Sequence, residues 1–423
     1  MWVSTHYGRS GVADMVVRMQ ANQSRLKLLF VHEHLGAWAG AEANLFDVAS
    51  ALRDRGHEVA LLHGAPTGRG EDQWRAVFSR RFSAEGPGAA RVALHEFQPD
   101  VVFLHNSPGL ALTTGLAAGD APVVRMVHDH HLFCLRGCRY SAWSREPCTK
   151  AFSPLCLLPC GGVVQRTATG WGLAFGNYLK KKQELELHRG FARLVVASEY
   201  MFEELRRNGF RAEQIEIHAP VPARPAPPED NAENTTRPPR VVFAGQIVRG
   251  KGVDVLLESL ALVRTPFECI IMGDGNHRGH CESLAFRLGL DRYVKFTGYL
   301  PAEEVAAHYR AATLAVFSSV WPEPFGLSGL EALRHGLPVV AFDVGGVREW
   351  LEDGVNGLLA PWMDRAGFAG RVEALLRDGD YARRLGAQGR ALAAERFDFS
   401  HYIDGLEDLF DRVRTTQPKE MAG

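Results

Sequence analysis

Charge of one sign is what this chain most lacks. Its 48 lysines and arginines meet 49 acidic residues, leaving a formal charge of −1 on 423 residues. A dedicated nucleic-acid binder carries a basic excess, so no nucleic-acid partner is expected. Long apolar runs are also missing: no stretch approaches the roughly 20 apolar residues that a membrane span needs. Residues 1–24 lack the apolar core of a signal peptide, because Arg18, Gln20, Asn22 and Gln23 interrupt it. They read as a weakly ordered extension, and the expected location is cytoplasmic. Cysteines number only seven, an odd count that argues against a secreted disulfide scaffold. A disordered chain is excluded by 46% hydrophobic residues, ample for a core.

What the chain does have is alternation. Short β-rich runs at Leu26–Val31, His57–Leu62, Asp100–Leu104, Pro122–Val127 and Arg193–Ala197 are separated by helical patterns. The pattern then breaks: residues 219–239 hold seven prolines, which fit neither a helix nor a central strand. Beyond this linker the alternation restarts, with strands expected at Arg240–Ala244, Glu268–Met272, Tyr293–Phe296, Thr313–Phe317 and Pro338–Phe342. Strands alternating with helices imply right-handed crossovers and parallel sheets. The expected fold class is therefore α/β: two doubly wound Rossmann-like domains, residues 25–218 and 240–396, facing an interdomain cleft. In such sheets ligands sit beyond the carboxyl ends of the strands.

The segment richest in chemistry is Glu323-Pro-Phe-Gly-Leu-Ser-Gly-Leu-Glu331-Ala332, between an expected strand and a helix. A glycine-containing helix start offers free backbone N–H groups and the positive end of the helix dipole, which suits a diphosphate. Glu323 lies just before the helix and Glu331 inside it, so one can face a reacting sugar while the other reaches a ribose.

This segment resembles the E-x7-E motif of retaining glycosyltransferases of family 4, the group 1 glycosyl transferases of GT-B fold. Other stretches agree along nearly the whole chain. Gly245–Asp254 (GQIVRGKGVD) resembles the family's G-R-x-x-x-x-K-G-x-D loop, and Ile271–Gly275 its strand-end G-x-G. Phe296–Gly298 resembles the F-x-G beside the base, while Gly345-Gly346 and Asn356–Leu359 resemble later landmarks. In the first half, Ala39–Glu42 resembles G-G-A-E and His128-Asp129 the strand-end H-D.

The resemblance implies a nucleotide sugar as donor, uridine before guanosine, and a glycan or lipid-linked acceptor in cell-surface polysaccharide assembly. It implies a retaining transfer without a required cofactor. Glu323 and His128 become the catalytic candidates: Glu323 beside the anomeric carbon, His128 facing donor sugar or acceptor with Asp129 orienting it. Lys251 would contact the diphosphate. Gln246 stands where the family usually has an arginine, and Arg249 is the candidate to replace that cation. Gly275, in the strand-end G-x-G, is a further substrate-binding candidate. Backbone around Phe325, Gly326 and Leu327 would bind the distal phosphate, Glu331 the ribose, and Gly40 would let backbone approach from the opposite domain. A terminal helix within 397–416 would pack back onto the first domain.

Two features stand outside this scheme. Cys134, Cys138, Cys148, Cys156 and Cys160 follow His128-Asp129 with spacing C-x3-C-x9-C-x7-C-x3-C. No C-x2-C pair appears, so reduced, non-ligating thiols are the main reading and a structural zinc the minor one. Trp171, Leu173, Phe175, Tyr178 and Leu179 precede Lys180-Lys181-Lys182, a pattern suited to peripheral contact with an anionic membrane. The rival functional readings are an epimerase of the same fold, a metal-dependent hydrolase using His128–His131 and the cysteines, and a non-catalytic nucleotide-sugar binder.

Overall fold

A computed structural model describes residues 25–36, 40–141, 144–158, 160, 162–167, 170–175, 177–224 and 238–416. The expected extension 1–24, Ala39 of the glycine–glutamate motif and most of the proline-rich linker lie outside the described residues. So do the side chains of Trp171, Leu173 and Phe175.

The first domain contains β1 (Lys27–Leu35), β2 (Glu58–Pro66), β3 (Arg80–Ser83), β4 (Val101–Leu104) and β5 (Val123–Met126). An antiparallel hairpin, β6 (Gly162–Thr167) and β7 (Gly170–Phe175), precedes β8 (Arg193–Val196) and β9 (Ile215–Ile217). Its helices are α1 (Gly40–Asp54), α2 (Glu71–Val77), α3 (Ala89–Phe97), α4 (Leu110–Ala117), α5 (Tyr178–Arg189) and α6 (Glu199–Arg207). The main sheet has the order β3-β2-β1-β4-β5-β8-β9, with every neighbouring pair parallel.

The second domain repeats the plan. Its sheet runs β12-β11-β10-β13-β14-β15 and is also wholly parallel. The strands are β10 (Arg240–Ala244), β11 (Glu268–Met272), β12 (Val294–Gly298), β13 (Leu314–Phe317), β14 (Val339–Phe342) and β15 (Gly357–Ala360). The helices are α7 (Val253–Leu260), α8 (Arg278–Arg287), α9 (Ala302–Arg310), α10 (Leu327–Arg334), α11 (Arg365–Arg377), α12 (Gly379–Arg396) and α13 (Phe399–Thr416).

Central strands such as β4, β13 and β14 are buried at every position. Helices on both faces of a parallel sheet require that, which is why these strands read as unbroken apolar runs rather than alternating ones. Strand order reverses direction between β1 and β4, and again between β10 and β13. Those two switch points open crevices at the carboxyl ends of the strands. Residues following β1, β5 and β8 meet residues following β10, β13 and β14.

Helix α13 returns to the first domain. Phe410 packs edge-on against Phe103 of β4, 5.0 Å between ring centres. The Asn44 amide of α1 donates to the Tyr402 hydroxyl at 3.2 Å. Glu407, buried, takes His57 at 2.8 Å and Arg55 at 2.5 Å. None of the described helices is long and apolar enough to cross a membrane.

Candidate active site

The site in the second domain is assembled by three turns that glycine makes possible. The backbone leaves β10 and closes a single 3-10 turn, Arg249–Lys251, that ends on Gly252 at φ 64. A Cβ on Gly252 would lie 2.1 Å from the Ser318 carbonyl, so backbone of the Lys251 loop can press against the end of β13 only with glycine there. The Ser318 hydroxyl donates back to the Lys251 carbonyl at 2.9 Å. Gly326, at φ 97, starts α10 with Phe317 beneath it. Gly275 lies against the Ile247 carbonyl, where a Cβ would come within 2.4 Å.

These turns place Lys251 and Glu323 in direct contact. The Lys251 ammonium donates to Glu323 Oε1 at 2.7 Å. The same oxygen accepts from Trp321 Nε1 at 2.6 Å and from the Ser319 hydroxyl. Glu323 is only 4% exposed, so its charge is stabilised by three donors rather than by water. Lys251 also sits 5.5 Å from the Trp321 ring centre and 5.8 Å from that of Phe317. Sequence reasoning gave the two residues separate contacts, with sugar and diphosphate; the structure pairs their opposite charges with each other.

The following turn is held from behind. Trp350 Nε1 donates to the Phe325 carbonyl at 2.7 Å, and the Gly346 N–H to the Glu323 carbonyl at 2.7 Å. The Phe325 side chain is buried against Phe397, so only its backbone is available to a ligand. Across the cleft, Gly40 faces Leu327: a Cβ on Gly40 would sit 3.7 Å from Leu327 Cδ1. Glu331 lies further along α10. Burial pushes its carboxyl up, against the pull of Arg334 and Arg224, and its carboxylate makes no hydrogen bond to the described residues. A ribose hydroxyl is the kind of donor that would relieve that burial. Arg249 is exposed on the same turn as Lys251, and its charge reaches Tyr140 of the first domain. Gln246 is exposed and uncharged.

The first domain contributes histidines. His128 follows β5, and its Nε2 lies 2.8 Å from Nδ1 of His105, which follows β4. The rings stack at 5.0 Å. Burial, with the nearby Arg125 and His32, lowers His128 to about 3, so its ring is neutral at ordinary pH. Asp129 does not orient it: Oδ1 of Asp129 accepts the His131 backbone N–H at 2.7 Å instead. His105 is the residue sequence reasoning missed; a histidine closing an apolar strand run was the available signal. Glu42 of α1 is buried 3.6 Å from His32 at the end of β1. Arg125 is buried in β5, where its Nε and Nη1 find no hydrogen-bond partner among the described residues, and burial lowers its guanidinium to about 10.

The metal readings fare differently. His130 turns its Nε2 to the Tyr200 hydroxyl at 3.1 Å, away from His128, so these histidines do not converge. All five clustered cysteines are free thiols, and no three of their sulfurs come together at ligand spacing. Among the described residues the one group of potential ligands that does converge is Asp254, His277 and His280, which sequence reasoning did not bring together.

Two contacts cross the cleft near the site. The Ser198 hydroxyl donates to the Pro324 carbonyl at 2.5 Å, and Arg145 clasps Asp254 with both nitrogens, at 2.5 and 3.2 Å.

Comparison with known proteins agrees with this geometry. Residues 38–220 match the model of Glycosyltransferase Family 4, and residues 228–392 that of Glycosyl transferases group 1. A D-inositol 3-phosphate glycosyltransferase of Nocardia farcinica is 37% identical over 182 residues, 41% of this chain and 40% of that enzyme. An alpha-D-kanosaminyltransferase of Streptomyces kanamyceticus is 32% identical over 178 residues, 41% of this chain and 46% of that enzyme. The matched stretch thus spans less than half of either relative. Anabaena Alr3699/HepE, solved with UDP and glucose, superposes with a TM-score of 0.69 at 21% identity, over 92% of this chain and all of that one. WaaG, involved in lipopolysaccharide biosynthesis, gives 0.66 at 17%, over 90% and 99%. Two family models laid end to end over two facing Rossmann-like domains make this chain a member of the group 1, family 4 glycosyltransferases with the GT-B fold.

Proposed function

We propose that the chain transfers a sugar, with retention of anomeric configuration, from a nucleotide-diphosphate donor to a glycan or lipid-linked acceptor in cell-surface polysaccharide assembly. A UDP-sugar is the first choice of donor and a GDP-sugar the second. The observation that carries this reading is the Lys251–Glu323 pair, held by Ser319 and Trp321 at the switch point, beside the amide-rich start of α10. UDP and glucose in the Anabaena structure support the donor class.

Donor binding separates the pair. Lys251 turns to the diphosphate, and Glu323 is left to take sugar hydroxyls. As the glycosidic bond breaks, negative charge grows on the leaving phosphate. Lys251, Arg249 and the free N–H groups around Gly326 and Leu327 stabilise it, and no cofactor is required. Glu323 supports the positive character that develops at the anomeric carbon. His128, neutral and half-buried, lines the acceptor side by hydrogen bonding rather than by charge. The leaving phosphate takes the acceptor's proton, so no separate base is needed.

The acceptor side supports a membrane-linked substrate. Phe152 stacks on Tyr178 at 4.8 Å, tying the segment that carries exposed Leu155, Leu157 and Leu158 to the start of the helix that carries exposed Leu179, Lys180 and Lys182. Exposed leucines and lysines on joined segments suit an anionic lipid surface.

The test is incubation with UDP-, GDP- and ADP-sugars, with product configuration read by NMR and binding by thermal shift. Transfer with retention to an added acceptor is expected. Interconversion of free donor without acceptor would instead identify an epimerase, and stabilisation without turnover a binding protein. Co-sedimentation with anionic vesicles checks the membrane arm; protein that stays in the supernatant removes it.

A further inference from the structure

Asp254, His277 and His280 lie outside the catalytic machinery. Asp254 is in the first turn of α7, three residues after Lys251, and is 6% exposed. His277 caps α8 and His280 lies inside it, one turn on. One potential ligand atom from each of the three falls within 4.8 Å of the others. The imidazoles stack at 4.5 Å. Nε2 of His277 is buried and makes no hydrogen bond among the described residues; its ion-pair partner, Asp254 Oδ2, stands 3.6 Å away, beyond hydrogen-bond distance. A buried ring nitrogen without a hydrogen bond is a feature that most histidines avoid.

We infer that Asp254, His277 and His280 form a binding site for a divalent transition ion of the zinc class, and that Arg145 competes with the ion for Asp254. Two imidazoles and one carboxylate are the donor set that such ions accept, with open positions left for water. The three ligand atoms need to draw together by about 1–2 Å to reach zinc distances of about 2.0–2.2 Å, a movement open to an exposed His280 on the first turn of a helix. The guanidinium of Arg145 now supplies the positive charge there, reaching over from the cysteine-rich loop of the first domain. A second cation on the same carboxylate meets that charge, so ion and clasp exclude one another. The ion therefore loosens a contact between the two domains and acts as an inhibitor rather than a catalyst.

Binding of zinc to the purified, metal-free chain by calorimetry, and of cobalt by visible absorption, tests the site whatever the donor sugar proves to be. One ion per chain is expected. Arg145→Gln keeps a polar side chain and removes the charged competitor, so it tightens binding at least about tenfold. The double variant His277→Ala/His280→Ala loses the site, with circular dichroism showing that it still folds. In the unsubstituted chain, zinc slows transfer reversibly, and the double variant escapes that inhibition. Equal affinity in Arg145→Gln and the unsubstituted chain overturns the competition. Binding weaker than about 100 µM in both, or binding that survives loss of both histidines, overturns the site.

Discussion

At the scale of single residues, the proposed function rests on one carboxylate oxygen. Glu323 Oε1 takes Lys251, Trp321 and Ser319 together, in a place nearly closed to water. Removing either member of the pair strips a contact that strengthens as charge develops. Glu323→Ala and Lys251→Ala are each expected to lower turnover at least about a hundredfold. Near-normal steady-state rates in folded variants would end the assignment. Both residues were legible in the sequence, because each sits in a short continuous segment whose glycines announce how closely the backbone must pack. Their mutual contact was not, since 72 positions separate them and only the β10–β13 neighbourhood joins them. The same holds for His105 beside His128, and for Asp254 beside His277. Each pair is brought together by the ends of parallel strands that neighbour one another in a sheet.

At the scale of elements, α13 anchors one domain to the other through buried and half-buried charge. Glu407 is pushed up by burial, but hydrogen bonds from His57 and Arg55 outweigh that, and its carboxyl ends below its usual range. Glu407→Ala takes the partner from His57 Nε2 while Arg55 keeps Asp404 and Ser400, and is expected to cost about 2 kcal/mol in urea unfolding. Glu216 of β9 is held down to about 2 by His218 first, against burial, and then by Arg412 of α13. A carboxyl depressed in the folded state adds stability that is complete above its unfolded value, about 4.3. That stability fades as pH falls toward 2. Arg412→Ala narrows the window, so its acid-unfolding transition should move to higher pH by about half a unit. An unchanged transition would mean that His218, with Arg193 at 3.3 Å, sets Glu216 without Arg412. The repeating strands were readable from their apolar runs. The hairpin β6–β7, the two-turn α2 and the edge strands β3 and β9 were not, because edge and surface elements carry mixed polarity without a clean period. The start of β12 at Val294 and its extension to Gly298 likewise depend on pairing with β11 rather than on local pattern.

At the scale of the whole molecule, the two domains meet where catalysis is expected, so closing the cleft and building the site are one event. The seam is narrow at Gly346. A Cβ there would come within 2.5 Å of the Pro324 carbonyl and 2.9 Å of the Ser198 hydroxyl, the two atoms that hydrogen-bond across the domains. The backbone of Gly346 is not in a left-handed conformation, at φ −84, so alanine brings a collision without conformational strain. The hydroxyl can swing aside; the carbonyl cannot, because it belongs to the residue after Glu323. Its displacement shifts Glu323, whose own carbonyl holds the Gly346 N–H. Gly346→Ala is therefore expected to cut turnover about a hundredfold, the scale set by misplacing a reacting group by about 1 Å. Ser198→Ala is the control. It gives up one hydrogen bond of about 1 kcal/mol and leaves the backbone in place, so turnover should fall only severalfold. Kinetics of the two variants, with small-angle scattering of each at saturating donor, separate the cases. If Gly346→Ala matches Ser198→Ala in rate and closes to the same radius, the seam only joins the domains and does not position Glu323.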